Sequence, residues 1–221
     1  MEGSGMTLAA RRVLRWSVVG ALSAVAMLGS AFADAPRDVL DRITKARPAD
    51  QKVAQDAGRK AAFFCANCHG ETGLSKYGEV PNLAGQHPTY VLGQVDAFLN
   101  GRRKDAFMQG LMKVLSAEEK AQIALFYSAQ PVTPAGTPST ARAAEGREHF
   151  EKNCVRCHGA DARGGENFPR LAGQQPEYLR RSLLRYLKAS GERTYPPMTA
   201  AVSGLGERNI EAVVEYLSNL R

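Results

Sequence analysis

The longest apolar stretch of the chain is its earliest. Residues 16–30 are apolar or small throughout, and Arg11, Arg12 and Arg15 precede them. Ala31-Phe32-Ala33 closes the run as a small-residue cleavage site. Residues 1–33 therefore read as a signal peptide cleaved after Ala33, which sends the mature chain to the periplasm. A retained anchor is disfavoured, because Arg15 cuts the run below the ~20 apolar residues that a spanning helix requires. No later stretch is long or apolar enough to cross a bilayer, and no run alternates as a strand would. Helix signals recur instead. Residues 51–66 and 142–153 read as helices. Pro88 and Pro176 suit a first helical position, and Gly101 and Gly191 suit the position after an end, which predicts helices over 89–100 and 177–190. Ser116-Ala117-Glu118-Glu119 is a capping box that opens a helix to residue 129, and Gly206 opens another to residue 220. The Gly-rich, charged stretches 70–83 and 159–171 read as loops. The expected fold class is all-α.

The helical pattern occurs twice. A shift of 88 lays Pro81-Asn82-Leu83-Ala84-Gly85-Gln86 on Pro169-Arg170-Leu171-Ala172-Gly173-Gln174, and Tyr90 on Tyr178. A shift of 90 lays Met108 on Met198 and Leu115 on Leu205. Landmarks that keep their order while the offset drifts so little identify an internal duplication. The expected organisation is a signal peptide (1–33), a leader of unread role (34–57), a first domain (58–130), a Pro-, Ser- and Thr-rich linker (131–145) and a second domain (146–221). Each domain is small for a generous core of its own.

Charge adds little. Removing residues 1–33, with three arginines and one glutamate, lowers the formal charge of the 221-residue chain from +7 to +5. The remaining charges are interspersed rather than gathered in a stripe, which excludes the usual footprint of a nucleic-acid binder.

The four cysteines change the picture. All fall in two copies of one pattern, Cys65-Ala66-Asn67-Cys68-His69 and Cys154-Val155-Arg156-Cys157-His158, related by a shift of 89. Disulfides would need no following histidine. A zinc site could draw on the same residues. A thioredoxin-like pair would need a strand before its helix, and none is visible. Covalent haem attachment accounts for every residue, with two thiols spaced for two vinyl groups and the next histidine directed at the iron. Cys65 and Cys68 would hold one haem with His69 on its iron; Cys154 and Cys157 would hold the other with His158. Two copies, an export signal and a matched sixth ligand favour two haem c groups. Met108 lies 39 residues after His69 and Met198 lies 40 after His158, and a thioether on the iron raises its potential relative to a second histidine. Met112 is a competitor for Met108. Pro196 and Pro197 read as stiffening the loop of Met198. His87 and His149 have no counterparts in the repeat and are expected to be structural or surface residues.

Taken together, the two CxxCH motifs, the PNLAGQHPTY and PRLAGQQPEY segments, the paired methionines and the closing helices resemble the cytochrome c4 family. The resemblance covers about residues 50–221. It implies two tandem class I cytochrome c domains, His/Met ligation in each, and haems close enough at the domain interface to exchange electrons. It also implies that the carbonyls of Pro81 and Pro169 accept the proximal imidazole N–H. The function expected is a monomeric electron carrier, not an enzyme, between a quinol:cytochrome c oxidoreductase and a terminal oxidase or other acceptor. Transient association with the membrane surface is compatible with it. Two alternatives remain: a cytochrome subunit of a larger dehydrogenase, such as a sulfide dehydrogenase, and a haem enzyme, such as a dihaem peroxidase or a thiosulfate-oxidising enzyme. Either enzyme would need an open iron, whereas both halves keep a methionine in register.

Overall fold

Residues 34–136 and 141–221 are described by the structure, a computed structural model. The expected signal peptide with its cleavage site, and residues 137–140 of the expected linker, lie outside the described residues. In the first half run α1 (Pro36–Thr44), α2 (Pro48–Ala61), the single turn α3 (Ala66–His69), α4 (Pro88–Leu99), α5 (Ala106–Val114) and α6 (Ala117–Ser128). The second half repeats them as α7 (Ala141–Asn153), α8 (Val155–His158), α9 (Pro176–Leu187), α10 (Pro196–Leu205), a 3₁₀ turn (Glu207–Asn209) and α11 (Ile210–Asn219). Among the described residues there is no strand, only an isolated antiparallel bridge between Arg103 and Arg193. None of their helices is long and apolar enough to cross a membrane.

The helix starts follow local chemistry. Pro36, Pro48, Pro88, Pro176 and Pro196 each open a helix, where a missing N–H costs nothing. Ser116 and Glu119 close the full capping box on α6. Four expectations shift. The helix expected over 51–66 is two pieces, because α2 stops at Ala61 and the chain turns before α3 brings Cys68 and His69 round. The helix expected over 177–190 ends at Leu187, where Ala189 takes a left-handed φ of 45° and turns the chain toward the Arg103–Arg193 bridge. Gly206 leads first into the 3₁₀ turn. Residues around Met198 are not a stiffened loop: Pro196 and Pro197 occupy the first turn of α10, with Met198 in that same turn, as Met108 is in α5.

Packing is matched between halves. α2 crosses α6, and α7 crosses α11. Each crossing is close enough to require glycine: a Cβ on Gly58 would lie 2.1 Å from the Gln122 carbonyl oxygen, and one on Gly146 would lie 1.9 Å from that of Ala212. The first half carries an addition. α1 packs on α6, α2 and α4, burying Val39, Leu40 and Ile43 against Leu92, Ala121, Ala124 and Leu125. In the repeat Leu92 corresponds to Arg180 and Ala121 to Glu211, and these two form an ion pair linking α9 to α11. The second half thus closes with charge the place that α1 covers with apolar side chains.

The two halves meet along the Leu-Ala-Gly-Gln segments. The Gln86 side chain accepts from the backbone N–H of Arg170 (2.7 Å) and donates to its carbonyl (3.1 Å). Gln174 does the same to Asn82, at 2.7 and 3.0 Å. Each side chain grips the residue that corresponds to the other's target, so the contact is self-complementary in the way of a two-fold interface.

Candidate haem sites at the junction of the halves

α3 and α8 are single helical turns, and each presents a Cys-x-x-Cys-His motif to the same cavity. His69 is 8% exposed and His158 only 3%. The two imidazoles are held alike: Nδ1–H of His69 donates to the Pro81 carbonyl at 2.9 Å, and Nδ1–H of His158 to that of Pro169 at 3.1 Å. A carbonyl can only accept, so these bonds fix the tautomer and leave Nε2 with its lone pair. Burial pushes both imidazoles below their ordinary pKa, which keeps that lone pair free of a proton.

All four thiols are free of disulfides. Burial raises the Cys65 thiol, and burial followed by the neighbouring Cys157 raises Cys154 to about 11. A dithiol redox centre needs the opposite, a thiol drawn down toward neutrality. Among the described residues no three His, Cys, Asp or Glu side chains converge as a metal cage, which disfavours zinc.

The cavity has a volume of about 670 Å³ and is lined mainly by apolar atoms. That lies in the range of cofactor sites, roughly 300–1,000 Å³. Both motifs, both prolines and Met108, Met112 and Met198 face it, whereas His87 and His149 do not. The lining supplies free thiols, oriented imidazoles, thioethers and an apolar wall, and this donor set fits a covalently attached haem in each half.

Packing separates the two candidate methionines of the first half. Met112 is buried with Val95 and Phe98. Its counterpart in the repeat is Val202, a core residue of the second half. Met108 corresponds to Met198, and both lie at the edge of their cores, partly buried.

One group of cavity residues was missed at the sequence level. Arg193 donates to Tyr90 Oη (2.8 Å), Tyr178 Oη (3.0 Å) and Gln94 Oε1 (3.2 Å); Arg103 donates to Tyr178 Oη (3.1 Å) and Gln94 Oε1 (2.9 Å). Among the described residues neither arginine has a carboxylate partner. Burial would push the Tyr178 phenol up, but Arg103 and Arg193 override it and bring it down to about 7. The signal was available, because Arg103 and Arg193 are related by the same shift of 90 as the two methionines.

Fold and site together define a c-type cytochrome. Residues 143–221 match the cytochrome c family model. A cytochrome c4 of Thiocapsa roseopersicina is 33% identical over 73% of this chain and 89% of its own. A thiosulfate dehydrogenase electron acceptor of Thiomonas intermedia is 34% identical over 71% of this chain and 78% of its own. The structure of reduced cytochrome c4 from Pseudomonas stutzeri superposes with a TM-score of 0.68 at 28% identity, over 75% of this chain and 98% of that one. The chain belongs to the cytochrome c4 family: it is a dihaem electron-transfer cytochrome with covalently bound haem c, not an enzyme, and it works with redox partners.

Proposed function

We propose that the chain is a periplasmic carrier whose two haems are held by Cys65 and Cys68 with His69 and Met108, and by Cys154 and Cys157 with His158 and Met198. The observation that carries this reading is the matched pair of buried histidines, each locked by a proline carbonyl, facing one cavity with the matched methionines. Haem iron supplies a one-electron ferric/ferrous couple tuned by its axial ligands. The chain supplies the rest. Pro81 and Pro169 orient the imidazoles, the apolar walls exclude water, and the thiols prevent loss of the group. Arg103 and Arg193, without a carboxylate partner among the described residues, are available to the acidic edges of the haems. Ligands that stay in place in both oxidation states keep reorganisation small.

In this reading the electrons come from a membrane quinol-oxidising complex and leave to a terminal oxidase or other acceptor. A second donor is favoured by a specific observation: relatives from Thiomonas intermedia and Stutzerimonas stutzeri, each 34% identical, are thiosulfate dehydrogenase electron acceptors. Stopped-flow reduction of the oxidised dihaem protein separates the two. Rapid reduction by a quinol-oxidising complex with quinol supports the respiratory role; rapid reduction only by a thiosulfate dehydrogenase with thiosulfate supports the other. Slow reduction by both, in protein that ascorbate reduces promptly, removes both donors.

A further inference from the structure

The leader helix α1 has no counterpart among the described residues of the second half. Val39, Leu40 and Ile43 account for its hold on the first half. Arg37 has a different place. Its guanidinium lies over Gly93 of α4: a Cβ on that glycine would stand 3.2 Å from Arg37 Nη2, the one neighbour it would meet among the described residues. Arg37, Gly93 and Asp96 all line the haem cavity, and Arg37 Nε is 4.0 Å from the Asp96 carboxylate. α4 packs on α5, the helix that carries Met108, so this wall belongs to the first haem site.

The repeat reaches the same arrangement by another route. Under the shift of 88, Gly93 corresponds to Arg181 and Thr89 to Glu177. Arg181 lines the cavity from α9, the helix packed on α10 with its Met198, and Arg181 Nε pairs with Glu177 at 2.7 Å. Each half therefore sets one arginine in its cavity wall, balanced by one carboxylate of α4 or α9. In the second half that arginine belongs to the duplicated helix; in the first it comes from the leader. Glycine in the middle of a helix is unfavourable, because its free backbone must be fixed, and Gly93 stands in the middle of α4. The overlying guanidinium gives the glycine a reason, since a side chain at 93 would push Arg37 off the wall.

We infer that Arg37 of the leader helix is the cation that sets the potential of the first haem, in the place that Arg181 takes at the second. The inference rests on the two-haem carrier reading. Reduction removes one positive charge from the iron, so a neighbouring cation favours the ferrous form and raises the potential. Loss of Arg37 also leaves Asp96 unbalanced, which acts in the same direction. Because Arg37 is half exposed, its field is screened by salt. The leader thereby biases which haem holds the electron in the half-reduced protein.

The test is a redox titration of the mature two-haem protein followed by proton nuclear magnetic resonance. Each haem is assigned through its contacts to Phe64 in the first half or Phe168 in the second, both of which line the cavity. Arg37→Gln should lower the first haem's potential and leave the second in place. The equilibrium that shares one electron between them should then move about two- to fivefold toward the second haem. That shift should shrink in about 1 M salt, where the Debye length falls to about 3 Å. Arg37→Lys should keep most of the parent potential. Gly93→Arg added to Arg37→Gln should restore it, by giving α4 the residue that α9 carries. Arg181→Gln should lower the second haem's potential alone. An unchanged first potential in Arg37→Gln, an equal fall at both haems, a shift indifferent to salt, or no recovery with Gly93→Arg would overturn the inference and leave Arg37 as an anchor of α1 only. Fewer than two covalent haems per chain would instead sink the carrier reading, and this inference with it.

Discussion

Met108 and Met112 lie four residues apart on α5; the repeat spacing favours Met108 as the ligand, and in the structure the two side chains pack differently. Both face the haem cavity, but Met112 is 5% exposed in a cluster with Val95 and Phe98 and stands where the second half has buried Val202. Methionine readily fills such a core gap. Met108, like Met198, sits in the first turn of its helix at the core's edge. Met108→Ala and Met198→Ala should each abolish the near-infrared thioether-to-ferric-iron band of one haem and lower that haem's potential, because loss of the thioether removes the ligand that raises it. Met112→Leu should keep both bands. Near-infrared absorption and a redox titration of the three variants check this, and loss of a band in Met112→Leu would reverse the assignment.

Between elements, the duplicated crossings decide most. Gly58 and Gly146 let α2 and α7 rest on the carbonyls of α6 and α11, a contact that no larger residue can make without moving a helix. Gly146→Ala should therefore destabilise the protein by about 1–3 kcal/mol, the usual cost of overpacking. Thermal unfolding should show a fall of about 2–4 °C per kcal/mol for a chain of this size. The ion pair on the second half should behave differently. Arg180 holds the Glu211 carboxyl below its ordinary pKa, chiefly by hydrogen bonding. A carboxylate depressed in the folded state stabilises it above the unfolded pKa of about 4.3, and the gain disappears as pH falls through the lower folded value. Arg180→Met should thus cost stability at pH 6, and the gap from the parent protein should close as pH is lowered from 5 toward 3. About 0.5–1 kcal/mol is at stake, since the pair is partly exposed and screened. Urea unfolding across that pH range checks it.

At the scale of the molecule, two glutamine side chains join the halves. Each pairs with both backbone groups of one residue across the interface. In Gln86→Leu with Gln174→Leu those groups lose their partners, at a cost of about 1–3 kcal/mol each where they stay buried. Denaturant unfolding followed separately at the two haems should then resolve two transitions at different midpoints. A single unchanged transition would mean that the other contacts across the junction, among them Asn82 on the Gly173 carbonyl, Gln175 on the Ser75 carbonyl, the arginine–tyrosine cluster and Val132 against Gly85 and Gly173, hold the halves together without these two glutamines.

By itself the sequence determined the duplication, the helical class and the haem-binding chemistry. Attachment motifs, caps and helix-opening prolines act through neighbouring residues, and local chemistry is written locally. Cys65, Cys68 and His69 are legible because covalent attachment allows few spacings, and Ser116 with Glu119 because a capping box closes within one turn. The nine-residue leader helix α1 was not legible, since Val39, Leu40 and Ile43 form a core face only once Leu92 and Ala121 lie beneath them. Nor were α5 and α10, whose short apolar segments take helical form while covering the cavity. Tertiary structure alone decided that Met112 packs while Met108 stays at the edge, that Arg103 meets Arg193, and that Gln86 reaches Arg170. Each of these joins residues far apart in sequence or depends on what surrounds them, and only the folded chain brings those surroundings together.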